Sequence, residues 1–240
     1  MAAEPLLAAS GLTKRFGGLV AVDGCSLAVM PGTVVGIIGP NGSGKSTLFD
    51  LLTNVTRRDA GSVRFRGKAI DGVPLHRLAR LGIGRTYQAV RIFRDLSPWT
   101  NIEIAAMGRR CQGWQERAWL WLSRFGLNHL LDEAAERLSI GQQRLLELAM
   151  NFAVSPDLLL LDEPLAGVNP VIRDMIADAI AALRAEGKTF LVIEHHMHFV
   201  MRLCDRVMVM DHGEKIAEGP PEAVRADERV VAALLGSGAA

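Results

Sequence analysis

Across 240 residues the chain is 49% hydrophobic and 22% charged, the balance of a soluble globular domain with a full core. A formal net charge of +1 leaves no electrostatic footprint for nucleic acid. Three scattered cysteines, Cys25, Cys111 and Cys204, argue against a disulfide frame or a zinc site and for a reducing compartment, where they read as small buried hydrophobes.

The opening stretch, "MAAEPLLAAS", lacks the basic n-region of a signal peptide. From Gly24 to Gly44 no residue is charged, yet Pro31, Gly32, Gly36, Gly39, Pro40 and Gly42 interrupt the run, which excludes a membrane-spanning helix. Within it "TVVGIIG" predicts a buried strand. The following "STLFDLLTNV" predicts a helix with Leu48, Leu51, Leu52 and Val55 on one face. From Arg91 to about Ala153 there are no β-rich runs, so this stretch reads as a helical insertion, with Trp114, Trp119 and Trp121 as packing residues. Inside it "LSIGQQ" opens a helix whose stripe is Leu145, Leu148, Ala149 and Phe152, with Ser139 and Gln142 spaced as a capping box. Gly141 sits just inside that helix, where glycine costs about 1 kcal/mol against alanine.

Two short apolar runs follow, "DLLLLDE" and "TFLVIEH". They flank a helix that turns Ile172, Met175, Ile176, Ala179, Ile180 and Leu183 inward and stops at Gly187. "RVMVMDHGEKIAEG" predicts a hairpin turning at His212–Gly213. Strand–helix–strand repetition with near-continuous apolar strands predicts an α/β fold whose parallel sheet is covered on both faces.

The chemistry begins at "GPNGSGKST", Gly39 to Thr47, which fits G-x-x-x-x-G-K-[ST] between a strand and a helix. Glycines let backbone N–H groups curl around phosphate oxygens, and the helix start adds its positive end. Lys45 offers a point charge to the outer phosphates and Ser46 a hydroxyl to Mg²⁺. Asp162 and Glu163 close the strand "LLLLDE", where one acid can hold Mg²⁺ and the next can activate water. His195, His196 and His198 do not suggest a metal site, since adjacent strand positions face opposite ways.

"LSIGQQ" followed by a helix and then "LLLLDEP" resembles the signature and Walker B region of ATP-binding cassette ATPases, and further landmarks of that family appear in order over essentially the whole chain. The resemblance implies a P-loop NTPase (RecA-like) fold: a mostly parallel core sheet, an antiparallel β subdomain, and a helical subdomain inserted over 91–153 in a single 1–240 domain. It implies ATP held by Gly39, Pro40, Asn41, Gly42, Ser43, Gly44, Lys45, Ser46 and Thr47, with Phe16 stacking adenine. Mg²⁺ would be held by Ser46, Gln88 and Asp162, and catalysis served by Glu163, His195 and the Q-loop residue Gln88. "LAGVNP" stands as the D-loop. Ser139, Gly141 and Gln142 are implied to face the γ-phosphate bound by a second cassette, which gives a reason for a small, positive helix end.

"FGGLVAVDGCSL", "RTYQAVRIFRDLSPWTNIEIA", "CDRVMVMDHGEKIAEGPPE" and "AALLG" are most similar to the branched-chain amino-acid importer type. Urea- or amide-type importers and the lipopolysaccharide-export ATPase are similar in the same regions. A small-molecule kinase or GTPase is disfavoured by "LSIGQ" and by the lack of [NT]-K-x-D. A non-transport cassette acting on DNA or ribosomes is disfavoured by the single cassette and neutral charge. The implied partners are a homologous second cassette in a heterodimer, permease subunits and, indirectly, a substrate-binding protein, with no nucleic acid. The implied place is the cytoplasmic side of the inner membrane, bound through the permeases. Some of Ile92, Phe93 and Leu96 are expected to line the permease groove. Three positions depart from the wider family: Ile140 replaces a glycine, Asn169 an aspartate, and His196 an acid.

Overall fold

A computed structural model describes residues 4–236. The strands β1 (Leu7–Phe16) and β2 (Leu19–Val29) form an antiparallel hairpin that turns at Gly17–Gly18. After β3 (Val34–Ile38) a glycine-rich loop enters α1 (Lys45–Leu52). The short strands β4 (Ala60–Phe65) and β5 (Lys68–Ala69) then return to the hairpin, giving a four-stranded antiparallel sheet in the order β2-β1-β4-β5. Sequence pattern had pointed to no individual strand of this sheet.

The helix α2 (Leu75–Leu81) and the short strand β6 (Ile83–Arg85) precede a strand-free stretch. That stretch holds α3 (Pro98–Arg109), α4 (Trp114–Arg124) and α5 (Ile140–Ala153), with two 3₁₀ turns before α5. The chain re-enters the second sheet at β7 (Leu158–Asp162), then runs through α6 (Pro170–Ala185), β8 (Thr189–Ile193), α7 (Met197–Leu203) and β9 (Arg206–Asp211). The hairpin partner β10 (Glu214–Gly219) and helices α8 (Pro221–Ala226) and α9 (Glu228–Gly236) complete it. The six strands lie in the order β10-β9-β3-β8-β7-β6, parallel except for β10.

Alternation along the central strands explains why their sequences look continuously apolar. Val34 and Ile38 of β3, Leu159 and Leu161 of β7, and Phe190 and Val192 of β8 pack with the helices α3–α7 on one side. Val35, Ile37, Leu158, Leu160, Leu191 and Ile193 pack on the other, against α1 and the antiparallel sheet. Each strand therefore feeds two cores, and polar residues are left to the strand ends, at Asp162 and Thr189. The continuous runs meant what they were read to mean.

Three local expectations differ. Val55 is exposed, because α1 ends at Leu52 and Asn54 takes a left-handed φ of 55°, its amide donating to Ile70 O and Val73 O. Trp121 is buried against Phe125 and Phe152, but Trp119 lies on the opposite face of α4 and is exposed. Cys25 and Cys204 are buried, their thiols pushed up to about 11 and about 12 by desolvation, whereas Cys111 is only half-buried.

Candidate functional site

The glycine-rich loop is shaped by close backbone approach. A Cβ on Gly44 (φ 98°) would stand 2.2 Å from Ala21 O, and one on Gly39 2.1 Å from Met210 O. Neither partner can move aside, because both are main chain. The loop wraps the side chain of Lys45, whose Nζ donates to Gly39 O at 2.8 Å and Pro40 O at 2.7 Å. Burial lowers the Lys45 pKa, while Glu163 and Asp162 nearby act to raise it. The ammonium is thus held in a dry loop at the start of α1, where the helix end is also positive.

Asp162, at the end of β7, is only 4% exposed, and burial raises its carboxyl from 3.8 to about 6 against the opposing charge of Arg85. Its Oδ1 has no hydrogen-bond partner. Arg85 stands 3.9 Å away and is itself held by Asp50 at 2.7 Å and by donation to Thr53 Oγ1 at 2.8 Å, with its guanidinium over the rings of Tyr87 and Phe49. Glu163 follows in a left-handed conformation, φ 47°, unusual for a non-glycine residue and typical of strain held at a working site. Its Oε2 accepts from Gln88 Nε2 at 3.2 Å, so the third residue after β6 and the first after β7 meet above the loop.

Two adjoining cavities share Asn41, Gln88 and Glu163. One is bordered by Gly42, Gly44, Lys45, Ser46 and Thr47, together with the exposed Phe16 and Leu19 at the β1–β2 tip. The other is bordered by Gly39, Pro40, His195, Met197 and Leu234 of α9. Ser43 lines a neighbouring hollow with Asp211, His212 and two alanines of α9. The fold therefore brings the loop, Phe16, Gln88, Glu163 and His195 to one place. An exposed aromatic at one end, a cation-bearing loop in the middle and an acid with a histidine at the far end suit a nucleotide laid across the loop.

Ser139, Gly141 and Gln142 border neither cavity. They form the start of α5, where the capping box is complete: Gln142 N donates to Ser139 Oγ at 3.3 Å and Ser139 N to Gln142 Oε1 at 2.9 Å. A Cβ on Gly141 would stand 2.4 Å from Ile172 Cδ1, the movable end of a side chain. Next to it Ile140 is 71% exposed.

Further along α5 lies a pair that sequence reading missed. Arg144 and Glu147 are buried and ion-paired at 2.8 Å. Arg144 donates to Tyr87 O at 3.0 Å and Gln88 O at 2.7 Å, and Arg91 N donates to Glu147 Oε1 at 3.0 Å. The signature helix is thereby tied to the backbone on either side of Gln88. The available signal was two opposite charges three apart, the only charged residues of α5.

Outside that pair runs a groove between α2, α3 and α5, lined by Leu75, Ala79, Tyr87, Ile104, Arg109 and Met150 among others. Ile92, Phe93 and Leu96 are not among its lining residues. Ile92 packs on the core, and the turn from Phe93 to Ser97 is pinned by buried Asn101, whose amide donates to Phe93 O, Leu96 O and Ser97 O. His195 and His196 depart from expectation. β8 ends at Ile193, so the two are not strand neighbours facing opposite ways, and their rings stack with centroids 4.6 Å apart.

Comparison with known proteins places this geometry. A family model described as ABC transporter matches residues 22–166, and one described as branched-chain amino acid ATP-binding cassette transporter matches residues 214–240. The high-affinity branched-chain amino acid transport ATP-binding protein BraF of Pseudomonas aeruginosa is 39% identical, over 97% of this chain and 98% of that protein. The protein LivG of Escherichia coli K12, with the same description, is 38% identical over the same shares. Among solved structures, the ADP conformation of an ATP-binding cassette of an ABC transporter superposes with a TM-score of 0.85 at 34% identity, covering 97% of this chain and 99% of that one.

Proposed function

Because the chain belongs to the ATP-binding cassette transporter family, we propose that its ATPase activity drives an importer of branched-chain amino acids. The similarity to BraF and LivG over nearly the full length, and the branched-chain model at residues 214–240, support that substrate class.

In this reading Phe16 stacks on adenine, and the loop from Gly39 to Thr47 wraps the phosphates. Lys45 exchanges the carbonyls of Gly39 and Pro40 for phosphate oxygens. The donor set fits Mg²⁺: a buried Asp162 oxygen without a partner, the Ser46 hydroxyl and the Gln88 side-chain carbonyl are all hard oxygen ligands. The ion would neutralise charge on the phosphates. Glu163 polarises the attacking water, Gln88 holds the Glu163 carboxylate in place, and His195 contacts the γ-phosphate. The observation that carries this assignment is the Gln88–Glu163 hydrogen bond on the rim shared by both cavities. Losing a positioned base costs about 10²–10⁴-fold in rate, so Glu163→Gln should nearly stop turnover while ATP stays bound. Near-normal turnover in the purified complex would overturn the assignment.

Ser139, Gly141 and Gln142 complete the site of a second cassette, and the natural partner is a homologous but different chain. Recovery of an intact, active transporter containing only this cassette would refute the heterodimer. The groove between α2, α3 and α5 receives a cytoplasmic segment of the permease, which holds the chain at the inner face of the membrane. Among the described residues no helix is long and apolar enough to cross the membrane itself. Ile104→Asp should weaken permease association and leave nucleotide affinity unchanged, which co-purification and nucleotide titration would measure.

A further inference from the structure

Between β8 and His195 stands Glu194, a carboxylate only 1% exposed. Its Oε1 accepts the Leu165 N–H at 2.9 Å. Its Oε2 accepts the N–H groups of His195 at 3.2 Å and His196 at 3.4 Å, and lies 3.1 Å from His196 Nδ1. The Glu194 N–H in turn donates to Ile37 O of β3 at 3.2 Å. One side chain thus joins the loop that leaves β7 to the loop that carries His195.

An isolated carboxylate at this depth is very costly, and only a full set of donors makes the position favourable. The donors are three backbone amides and one imidazole, so displacing either loop leaves a buried charge under-satisfied. The loop after β7 runs on to Asn169, whose side chain caps α6 by accepting from Ile172 N at 3.0 Å, and Ile172 is the residue that fills the space over Gly141. The reach of Glu194 therefore extends from the cavity edge at His195 toward the outward-facing start of α5.

We propose that Glu194, with His196 as its side-chain donor, is a positioning pair that fixes His195 relative to the 164–169 loop. The pair rests on the reading of His195 as a γ-phosphate contact. It also accounts for His196, which stands where the resembled family has an acid: an imidazole donates to Glu194, and a second carboxylate could not. Glu194, His195 and His196 have ligand atoms within 4.8 Å of one another, yet both Glu194 oxygens are occupied by donors, which makes the cluster a hydrogen-bonded clamp rather than a metal site.

The test uses the chain purified with its permease and partner cassette. Removing a hydrogen bond to a charged group changes the supported step by about tenfold. Glu194→Gln and His196→Asp should each lower kcat by about that factor with KM for ATP within about twofold, and His196→Asn, whose amide nitrogen stands where Nδ1 does, should restore most of the rate. Amide exchange in a peptide covering 164–169 should quicken in the first two variants and not in the third. If Glu194→Gln does not fold, the two His196 variants carry the comparison. Unchanged kcat and unchanged exchange in His196→Asp, with turnover abolished in His195→Ala, would overturn the proposal. A neutral His195→Ala would instead overturn the reading of His195.

Discussion

The loop from Gly39 to Thr47 and the start of α5 are both helix entrances, and they differ in where their requirements come from. At the loop every peculiarity answers to this chain: a Cβ on Gly44 or Gly39 would stand 2.2 or 2.1 Å from a main-chain oxygen, Lys45 is wrapped by the carbonyls of Gly39 and Pro40, and Asp162 behind it has an oxygen left without a partner. At α5 the capping box already pairs Ser139 with Gln142, a Cβ on the glycine would meet only a movable methyl, and Ile140 is open to solvent. A site with unmet polar groups inside its own chain is built to take a ligand. An entrance that is capped, exposed and still glycine-bearing is the one that, in the proposed function, answers to a second cassette.

The strongest way to break this contrast is a mixed pair of cassettes with Ser139→Arg in one member only. Losing a donor aimed at developing charge costs about 10²–10³-fold. Nucleotide trapping should fail by that order at the unmutated partner's loop. A defect confined to the mutated chain's own loop would remove the distinction between the two entrances.

A smaller effect separates the two glycines by stability. Gly44→Ala places a methyl against fixed backbone at a left-handed φ, and should cost about 3 kcal/mol or more. Gly141→Ala asks only that Ile172 shift, and alanine recovers about 1 kcal/mol of helix propensity. Chemical denaturation should therefore show Gly141→Ala within about 1 kcal/mol of the parent while ATP turnover of the assembled pair falls. Equal destabilisation by both would mean that the signature glycine is a packing residue.

The smallest effect sharpens the first half of the comparison through pH. Burial raises the Asp162 carboxyl from 3.8 to about 6, so between those values the folded chain keeps a proton that the unfolded chain has lost. Stability falls as pH rises through that window and the penalty is complete above it. Asp162→Asn should stabilise the nucleotide-free protein by roughly 1–3 kcal/mol near neutral pH and have no effect below about pH 4, as read by thermal unfolding. The same shift predicts that Mg²⁺-dependent nucleotide binding weakens as pH drops through about 6, not through the ordinary aspartate range.

Local rules were enough for much of this protein. The spacing of "GPNGSGKST", the apolar runs closing on Asp162 and ahead of His195, the capping box at Ser139 and the turn at His212–Gly213 depend on neighbours a few residues apart, and each was legible in the sequence. The antiparallel sheet was not, because β1, β2 and β4 are broken by shifts of register that blur a two-residue period. Nor were the buried charges. Arg85 meets Asp162, Arg144 meets the carbonyl of Gln88, and Glu194 meets Leu165 across gaps of 29 to 77 residues, and α9 comes to the cavity from the far end of the chain. Periodicity reports which face of an element is dry. It cannot report which charge waits on the other side, and that was decided only when the two sheets and the helices between β6 and β7 were packed together.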